Sequence, residues 1–265
     1  MPAVPSTLPV NFQTGCLIGI ASNRKLVPRE LVVAMSLQPP PVHFSTGMIM
    51  VNDRPVEQAR ELLAEAAVAA KAKFLWFVDD DTIPPPNTLR RLHYTLSNNP
   101  DVMAVGGVYV TKCDPPGPVI FRGSGLGPFW NWKVGDVFEV TGMGAGCMLI
   151  NCEVFEKIPK PWFPWIEDKT VRAGMPNITV SEDISFCNAV RYAGYKIVAH
   201  GGIICDHYDD KTGETFTLPE NSYPRQPLVE RTPPMAAEEE AEIPATQTPK
   251  TKRGKRNGSI SSSKS

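Results

Sequence analysis

Residues 74–87, FLWFVDDDTIPPPN, consist of an apolar run, three consecutive aspartates and a proline-rich turn. The five apolar residues before Asp79 are bounded by charge and prolines, which is typical of a strand buried on both faces in a parallel sheet. The carboxylates of Asp79, Asp80 and Asp81 repel one another at the end of this strand. A divalent cation is the simplest reason to keep them there, because Mg²⁺ and Mn²⁺ prefer oxygen ligands. In open α/β sheets, ligands bind outside the carboxyl ends of the strands, where these aspartates fall.

A helix cap is the alternative explanation for the aspartates. The sequence PPPNTLRRL, residues 84–92, begins a helix, and aspartate is a common capping residue. A cap uses one carboxylate, so two of the three aspartates would still lack a role. The stretch therefore favours a binding site.

The first 110 residues alternate between apolar runs and helical periodicity. Asn52 or Asp53, followed by Pro55, supplies a typical helix start for the second helix. This alternation predicts a doubly wound, parallel α/β sheet. Strands are predicted at residues 16–22, 43–51, 74–78 and 102–110, and helices at residues 28–37, 52–70 and 87–97.

The pattern changes after this region. Residues 111–140 are rich in glycine, proline and aromatic side chains, which predicts loops and short antiparallel strands. A glycine-rich turn then leads into the apolar run 147–150 and a short helix at 153–158. A further helix begins with Ser181 as N-cap, runs to Tyr192 and is followed by a strand at 196–199.

Length and composition indicate one sizeable α/β domain with a tail. We expect a disordered, proline-rich lead at residues 1–13, the domain at 14–222 and a disordered, low-complexity tail at 223–265. The net charge of −1 gives no basic field that would attract nucleic acid or an anionic membrane. Only the basic patch at 250–256 could contact nucleic acid, and we favour a solubilising role for it.

The cysteines and the apolar stretches indicate the cellular compartment of the protein. None of the six cysteines forms a CxxC pair, and several lie in apolar runs, which is typical of buried, reduced thiols. Nothing at the N-terminus resembles a secretory signal, and no uncharged apolar stretch reaches the roughly 18 residues of a membrane span. We therefore expect a cytoplasmic protein without a transmembrane segment.

Three acidic clusters are compatible with one crevice. They are residues 79–81, Glu182 with Asp183 at a helix start, and Asp206, His207 and Tyr208 after an apolar strand. Carboxylates with a histidine suit a divalent cation, and a further carboxylate is free to act as a general base.

The order and spacing of four segments resemble glycosyltransferases of the GT-A fold, close to family 2. The segments are FLWFVDDDTIPP (74–85), GMGAGCMLINCEVFEKI (142–158), SEDISFCNAVRYAGYKI (181–197) and ICDHY (204–208). The resemblance covers roughly residues 15–210. It implies an α/β domain with a Rossmann-like mixed, mostly parallel sheet flanked by helices. It also implies an enzyme that moves a hexosyl group from a nucleotide-diphosphate sugar to an acceptor hydroxyl, using Mn²⁺ or Mg²⁺.

The resemblance assigns roles to the first cluster and to the histidine. In that family, a DxD motif after the central strand binds the metal and the diphosphate, which implies these roles for Asp79 and Asp81. Asp80 is expected to face the ribose. A histidine after the last core strand can complete the metal site, which implies His207 as a ligand.

The acidic pair at the helix start is implied to supply the catalytic base. The resemblance to inverting members favours Asp183, with Glu182 as the rival. The acceptor hydroxyl is a poor nucleophile and needs such a base, while a cation stabilises the charge that develops on the leaving diphosphate.

Other candidates have an equally simple structural explanation. Ser22 and Asn23 after the first strand, and Asp53 after the second, could contact the base or ribose of the nucleotide or serve as turn and cap residues. The loop after the first strand departs from the family pattern. Arg60 lies where related enzymes often carry an arginine near the nucleotide, or on a solvated helix face.

The acceptor, which can be a glycan, a lipid or another hydroxyl compound, has four candidate contacts. Gly144 and Gly146 allow close approach to the backbone or a tight turn. Trp162 and Trp165 offer rings for sugar stacking or for packing.

Two other functions fit part of the pattern. A phosphohydrolase of the haloacid dehalogenase type would use Asp79 as nucleophile, but its DxD motif normally opens the fold, whereas two strand–helix units come first here. A non-catalytic nucleotide-sugar-binding protein would not need Asp183 beside a full DxD motif.

Overall fold

The computed structural model of the protein describes residues 15–22, 24, 26–123, 127–168 and 178–219. These residues belong to one unit of the chain, Met1–Leu228. The predicted lead (1–13) and tail (223–265) lie outside the described residues, so the domain boundaries stay predictions.

Fourteen strands, four α-helices and one 3₁₀ helix occur in the described residues. The strands are β1 (Cys16–Ser22), β2 (Thr46–Asn52), β3 (Phe74–Asp79), β4 (Thr82–Ile83), β5 (Val102–Val108), β6 (Ile120–Phe121), β7 (Val137–Glu139), β8 (Gly142–Met143), β9 (Cys147–Asn151), β10 (Ile166–Asp168), β11 (Ile178–Val180), β12 (Lys196–Ile204), β13 (Asp206–Tyr208) and β14 (Thr215–Phe216). The α-helices are α1 (Arg29–Ser36), α2 (Val56–Ala69), α3 (Thr88–Ser97) and α4 (Glu182–Tyr192), and the 3₁₀ helix is Cys152–Glu156.

Seven strands form the central sheet, in the order β2-β1-β3-β9-β5-β12-β7. Neighbours β2, β1 and β3 are parallel, as are β5 and β12. Strand β9 runs antiparallel between β3 and β5, and β7 runs antiparallel at the edge. The sheet is therefore mixed and mostly parallel, which confirms the predicted Rossmann-like α/β class.

Helices cover both faces of this sheet. Leu75 and Phe77 of β3 pack in one apolar cluster with residues of α2 and α4. Phe74, Trp76 and Val78 of the same strand pack in a second cluster with residues of α1 and α3. The central strand is thus buried on both faces, as its unbroken apolar sequence predicts.

Several predicted boundaries are wrong for local reasons. Strand β2 begins three residues late, because His43 has a left-handed backbone (φ 67°) that an extended strand cannot contain. The N-cap of α2 is Pro55 instead of Asn52 or Asp53. The predicted helix at 153–158 is a 3₁₀ helix that begins at Cys152. The last core strand continues to Ile204, with an irregularity after His200.

The extension of β12 positions the candidate site. After Ile204 the chain enters β13, in which Asp206 pairs with Ile83 and His207 with Thr82 of β4. Strand β4 follows directly after Asp81. The pairing therefore brings the segment with His207 alongside the three aspartates. No helix in the described part of the chain is long and apolar enough to cross a bilayer.

Candidate functional site

The three aspartates lie at the carboxyl end of β3 and direct their carboxylates to different partners. Asp79 accepts hydrogen bonds from Nη2 of Arg60, at 2.9 and 3.0 Å. Asp80 is buried and accepts a 2.5 Å hydrogen bond from Oγ of Ser22. Helix α3 is capped by Asn87, so the cap explanation for an aspartate is wrong.

Asp81 and His207 face one another. Oδ1 of Asp81 lies 3.4 Å from Nε2 of His207. The other ring nitrogen, Nδ1, lies 2.7 Å from the carbonyl oxygen of Val110, which can only accept, so Nδ1 carries a hydrogen. The hydrogen bond to Val110 fixes the orientation of the ring, with Nε2 on the side of Asp81.

Asp81 also has cationic neighbours on its second oxygen. Oδ2 lies 2.5 Å from Nζ of Lys112 and 3.3 Å from Nη2 of Arg24. Burial by itself raises the pKa of Asp81, but His207 and Lys112 outweigh that effect and lower the pKa. Asp81 is therefore a stable carboxylate.

Arg60 connects the first acidic cluster to the second. Its side chain is 3% exposed, so it lies neither on a solvated helix face nor in the open crevice. One end of the guanidinium holds Asp79, and Nη1 lies 2.8 Å from Oε1 of Glu182. Arg60 thus fixes the start of α4 relative to the end of β3.

The two candidates for a base differ in accessibility. Glu182 is 5% exposed and paired with Arg60, and burial raises its pKa while Arg60 opposes that rise. Asp183 is partly buried, and its Oδ1 accepts hydrogen bonds from Oγ of Ser181 and from the backbone N–H of Ile184. Oδ2 of Asp183 makes no hydrogen bond to any described residue, which leaves this oxygen able to accept a proton.

A cavity of about 200 Å³ opens beside the aspartates, between the carboxyl ends of β1 and β3 and the start of α2. Ser22 and all three aspartates line it, together with Arg24 and Arg54. Asp53 is exposed, with a left-handed backbone (φ 58°), and does not line this cavity. The other predicted contact, Asn23, lies outside the described residues.

The two glycines before β9 make room for Tyr109. A Cβ atom on Gly144 would lie 1.9 Å from the hydroxyl of Tyr109, and one on Gly146 would lie 3.0 Å from Oδ2 of Asp79. Neither glycine has a positive φ, so a tight turn does not explain them. Close packing against neighbouring side chains explains why both positions are glycine. Contact of these glycines with an acceptor stays a prediction.

The two tryptophans lie in different environments. Trp162 is 5% exposed and packs against Phe155, while its Nε1 donates to the carbonyl of Ile158. Its burial gives Trp162 a packing role, and its contact with an acceptor stays a prediction. Trp165 is 48% exposed, and its contact with an acceptor stays a prediction.

Three residues near the site are absent from the sequence prediction. Tyr109 is buried, its hydroxyl accepts from the backbone N–H of Gly146, and burial raises its pKa well above the usual value. Lys112 follows Tyr109 in the loop after β5, and Arg24 follows β1. All three lie at or beyond the carboxyl ends of parallel strands. Ligands bind at this edge of an α/β sheet, so the reasoning that placed the aspartates there could also have identified these residues.

The described residues contain no group of three or more His, Cys, Asp or Glu side chains arranged to hold a metal ion. Of the three predicted metal ligands, Asp81 and His207 are adjacent, while both oxygens of Asp79 contact Arg60. The ligand role of Asp79 stays a prediction.

Comparisons with known proteins support the fold. The sequence matches no protein-family model and no curated protein at the significance required. The structure is similar to A197 from STIV, with a TM-score of 0.54 and 18% sequence identity over 77% of this chain and 94% of that one. It also resembles GalNAc-T7 in complex with UDP, GalNAc and Mn²⁺, with a TM-score of 0.48 and 13% identity over 73% of this chain and 44% of that one.

At 18% identity, the similarity to A197 shows a shared fold and nothing more. The similarity to GalNAc-T7 has a TM-score below 0.5 and supports no further conclusion. Membership of glycosyltransferase family 2 stays a prediction.

Proposed function

We propose that this protein is a metal-dependent glycosyltransferase. It moves a hexosyl group from a nucleotide-diphosphate sugar to the hydroxyl of a glycan, lipid or other acceptor, with inversion at the transferred carbon. The observation that carries the proposal is the pair formed by Asp81 and His207 at the carboxyl end of the central strand.

This pair fits a divalent cation. A carboxylate oxygen and an imidazole nitrogen 3.4 Å apart are donors that Mn²⁺ accepts. The hydrogen bond from Nδ1 of His207 to the carbonyl of Val110 fixes the ring, as metal-binding histidines require. Two protein ligands suffice, because Mg²⁺ and Mn²⁺ in nucleotide sites take further ligands from phosphates and water. Bound there, the ion would stabilise the charge on the leaving diphosphate.

The donor nucleotide is proposed to bind in the cavity beside the aspartates. Ser22, Asp80 and Asp79 line this cavity, which places hydroxyl and carboxylate acceptors where a ribose could donate. Arg60 does not reach the cavity, so we assign it the role of holding Asp79 and Glu182 in place. Asp53 does not line the cavity, and its contact with the nucleotide stays a prediction.

Asp183 is proposed as the general base. Its carboxylate is close enough to Asp79 and Arg60 to raise the pKa of both. Oδ1 is held by Ser181 and Ile184, which orients Oδ2 to take the proton from the acceptor hydroxyl. Glu182 is a poorer candidate, because its carboxylate is buried and neutralised by Arg60.

The phosphohydrolase alternative has less support. An aspartyl nucleophile needs a free carboxylate oxygen. Both oxygens of Asp79 accept hydrogen bonds from Arg60, and two strand–helix units precede β3.

The experiment is a screen for release of nucleoside diphosphate from UDP- and GDP-sugars in the presence of Mn²⁺, with wild-type protein and Asp183→Asn. Wild-type protein is expected to release UDP or GDP from at least one donor. Loss of a general base typically slows the reaction by about 10²–10⁴-fold, so the variant should be slower by that factor while still binding the nucleotide.

Asp101→Asn, which alters an exposed ion pair with Lys196 at the other end of the sheet, is the control and should react like wild type. Equal rates for Asp183→Asn and wild type would exclude Asp183 as the base. No turnover of any donor by wild-type protein would count against the function itself.

A further inference from the structure

Strand β2 (Thr46–Asn52) forms one edge of the central sheet, and among the described residues it pairs only with β1. Its outer N–H and C=O groups therefore have no strand partner in that part of the chain. We propose that this edge is an interface between two copies of the protein, in which the two β2 strands pair antiparallel and join the two sheets. This inference concerns assembly and does not depend on the proposed reaction.

The β2 edge lacks the usual protection against pairing with another strand. Proteins protect an exposed edge with charged residues, proline, a bulge or a very short strand. The β2 sequence, TGMIMVN, contains no charged residue and no proline. All seven of its residues pair with β1 in one unbroken register, so the strand has no bulge. Such an edge is a template for a further strand.

The opposite edge of the same sheet is protected. Strand β7 (Val137–Glu139) has three residues, and one of them is a glutamate. A strand this short offers few backbone groups for pairing, and its carboxylate opposes the approach of another strand. The contrast between the two edges indicates that β2 is the edge at which the sheet continues into a partner.

Exposed methionines lie beside the β2 edge. Met48 is 53% exposed and Met50 is 38% exposed. Ile49 and Val51 pack against the cluster that includes residues of α2, so the two methionines occupy the opposite face of the sheet. Methionine is enriched at protein–protein interfaces. Pairing at β2 would therefore bury apolar side chains in addition to satisfying backbone groups.

The sequence of β2 is complementary to itself in the antiparallel direction. A two-fold axis through Ile49 places three pairs of residues opposite one another, which are Met48 with Met50, Gly47 with Val51 and Thr46 with Asn52. Apolar residues then face apolar residues, and the polar residues at the two ends face each other. A two-fold interface requires this self-complementarity, because the same surface serves both partners.

The charges at the two ends of β2 are complementary as well. Exposed Asp53 follows the strand, while Arg54 after it lines the cavity beside the aspartates. Before the strand, Nζ of Lys73 lies 6.0 Å from the ring centre of Phe44. Antiparallel pairing brings the Asp53 end of each copy towards the Lys73 end of the other. This match favours a second copy as the occupant of the edge.

The test is the mass of the full chain in sedimentation velocity at several micromolar concentrations, for wild type and three double variants. Met48→Lys with Met50→Lys places like charges opposite one another across the two-fold axis, and so does Met48→Glu with Met50→Glu. The control is Val33→Lys with Leu37→Lys, which adds the same charge at exposed positions of α1 that line a groove with Pro84–Pro86. Urea unfolding shows whether each variant is folded.

Wild type and the control are expected to form dimers. Each methionine variant alone should have a dimer dissociation constant at least about tenfold higher than that of wild type. An equimolar mixture of the two methionine variants should recover the dimer, because lysine then faces glutamate. The recovery also excludes misfolding as the reason for dissociation.

Three results would overturn the inference. The first is a wild-type chain that is monomeric at every concentration. The second is a dimer that the methionine variants weaken no more than the control does, which would place the interface elsewhere. The third is dissociation of both methionine variants without recovery in the mixture, which would contradict the antiparallel register. All three leave the proposed function intact.

Discussion

Arg60 and Glu182 form a buried ion pair, with Nη1 of the arginine 2.8 Å from Oε1 of the glutamate. The same guanidinium donates to both oxygens of Asp79. One side chain from α2 therefore ties the aspartates after β3 to the acidic start of α4. The positions of Asp79 and Glu182 therefore depend on Arg60, which does not itself line the cavity.

Replacing Arg60 by methionine should destabilise the fold strongly. The change leaves Asp79 and Glu182 without their shared cation, and removal of one partner from a buried pair typically costs about 3–5 kcal/mol. Urea unfolding measures the difference. Arg29→Met, which removes an exposed ion pair with Glu30, is the matched control and should leave the unfolding free energy unchanged. A loss below about 1 kcal/mol for Arg60→Met would show that the pair is not buried as described.

His200 should make stability depend on pH between about 4 and 6.5. Burial, with a contribution from Arg91, lowers its pKa from 6.5 to about 4. Its Nδ1 accepts a hydrogen bond from the N–H of Gly202, which protonation of that nitrogen would break. In this window the unfolded chain binds a proton that the folded chain does not, so stability falls as pH decreases, by up to about 3 kcal/mol.

The measurement is the urea unfolding free energy from pH 4 to 7.5 for wild type and His200→Gln. The difference between the two proteins should increase with pH through the window and level off above about 7. Parallel curves would mean that His200 titrates at its ordinary pKa.

Gly144→Ala should destabilise the protein through Tyr109. The added Cβ would lie 1.9 Å from the Tyr109 hydroxyl, so the ring or the strand must move. Overpacking of this kind typically costs about 1–3 kcal/mol. In a Tyr109→Ala background the same change should cost less, since only Cγ1 of Val119, 2.9 Å from the added Cβ, still obstructs it. Equal costs in both backgrounds would contradict the described contact.

The two tryptophans should respond differently to truncation. Trp162→Ala removes a buried ring packed on Phe155 and should cost about 3–5 kcal/mol of unfolding free energy. Trp165→Ala removes a ring that is 48% exposed and should cost less than about 1 kcal/mol. Chemical denaturation of both variants gives the comparison, and similar losses would contradict the burial difference. Trp165→Ala is then the folded variant in which contact with an acceptor can be tested.

The sequence predicts those parts of the fold that local patterns encode. The apolar run before Asp79 predicts a central strand, and the spacing of apolar residues predicts α2. The start signals at residues 84–87 and at Ser181 predict α3 and α4. The same reasoning places the aspartates at the carboxyl end of the sheet. Each of these inferences needs only residues that are close together in the chain.

Contacts between distant segments could not be predicted in this way. Nothing in the run from Cys147 to Asn151 indicates that it inserts antiparallel between β3 and β5. The pairing of His207 with Thr82 is likewise a tertiary contact. Arg60 has the sequence context of an ordinary amphipathic helix, and only the packed structure reveals its two acidic partners.

Titration of UDP and GDP, with and without Mn²⁺, shows whether the site binds a nucleoside diphosphate together with a metal ion. The proteins are wild type, Asp81→Ala, His207→Ala and the distant control Asp101→Ala. Mn²⁺ is expected to strengthen nucleoside diphosphate binding to wild type and the control by at least about tenfold, and both site variants should lose this gain. Nucleoside diphosphate binding that is absent, or that depends neither on Mn²⁺ nor on Asp81 and His207, would contradict the proposed function.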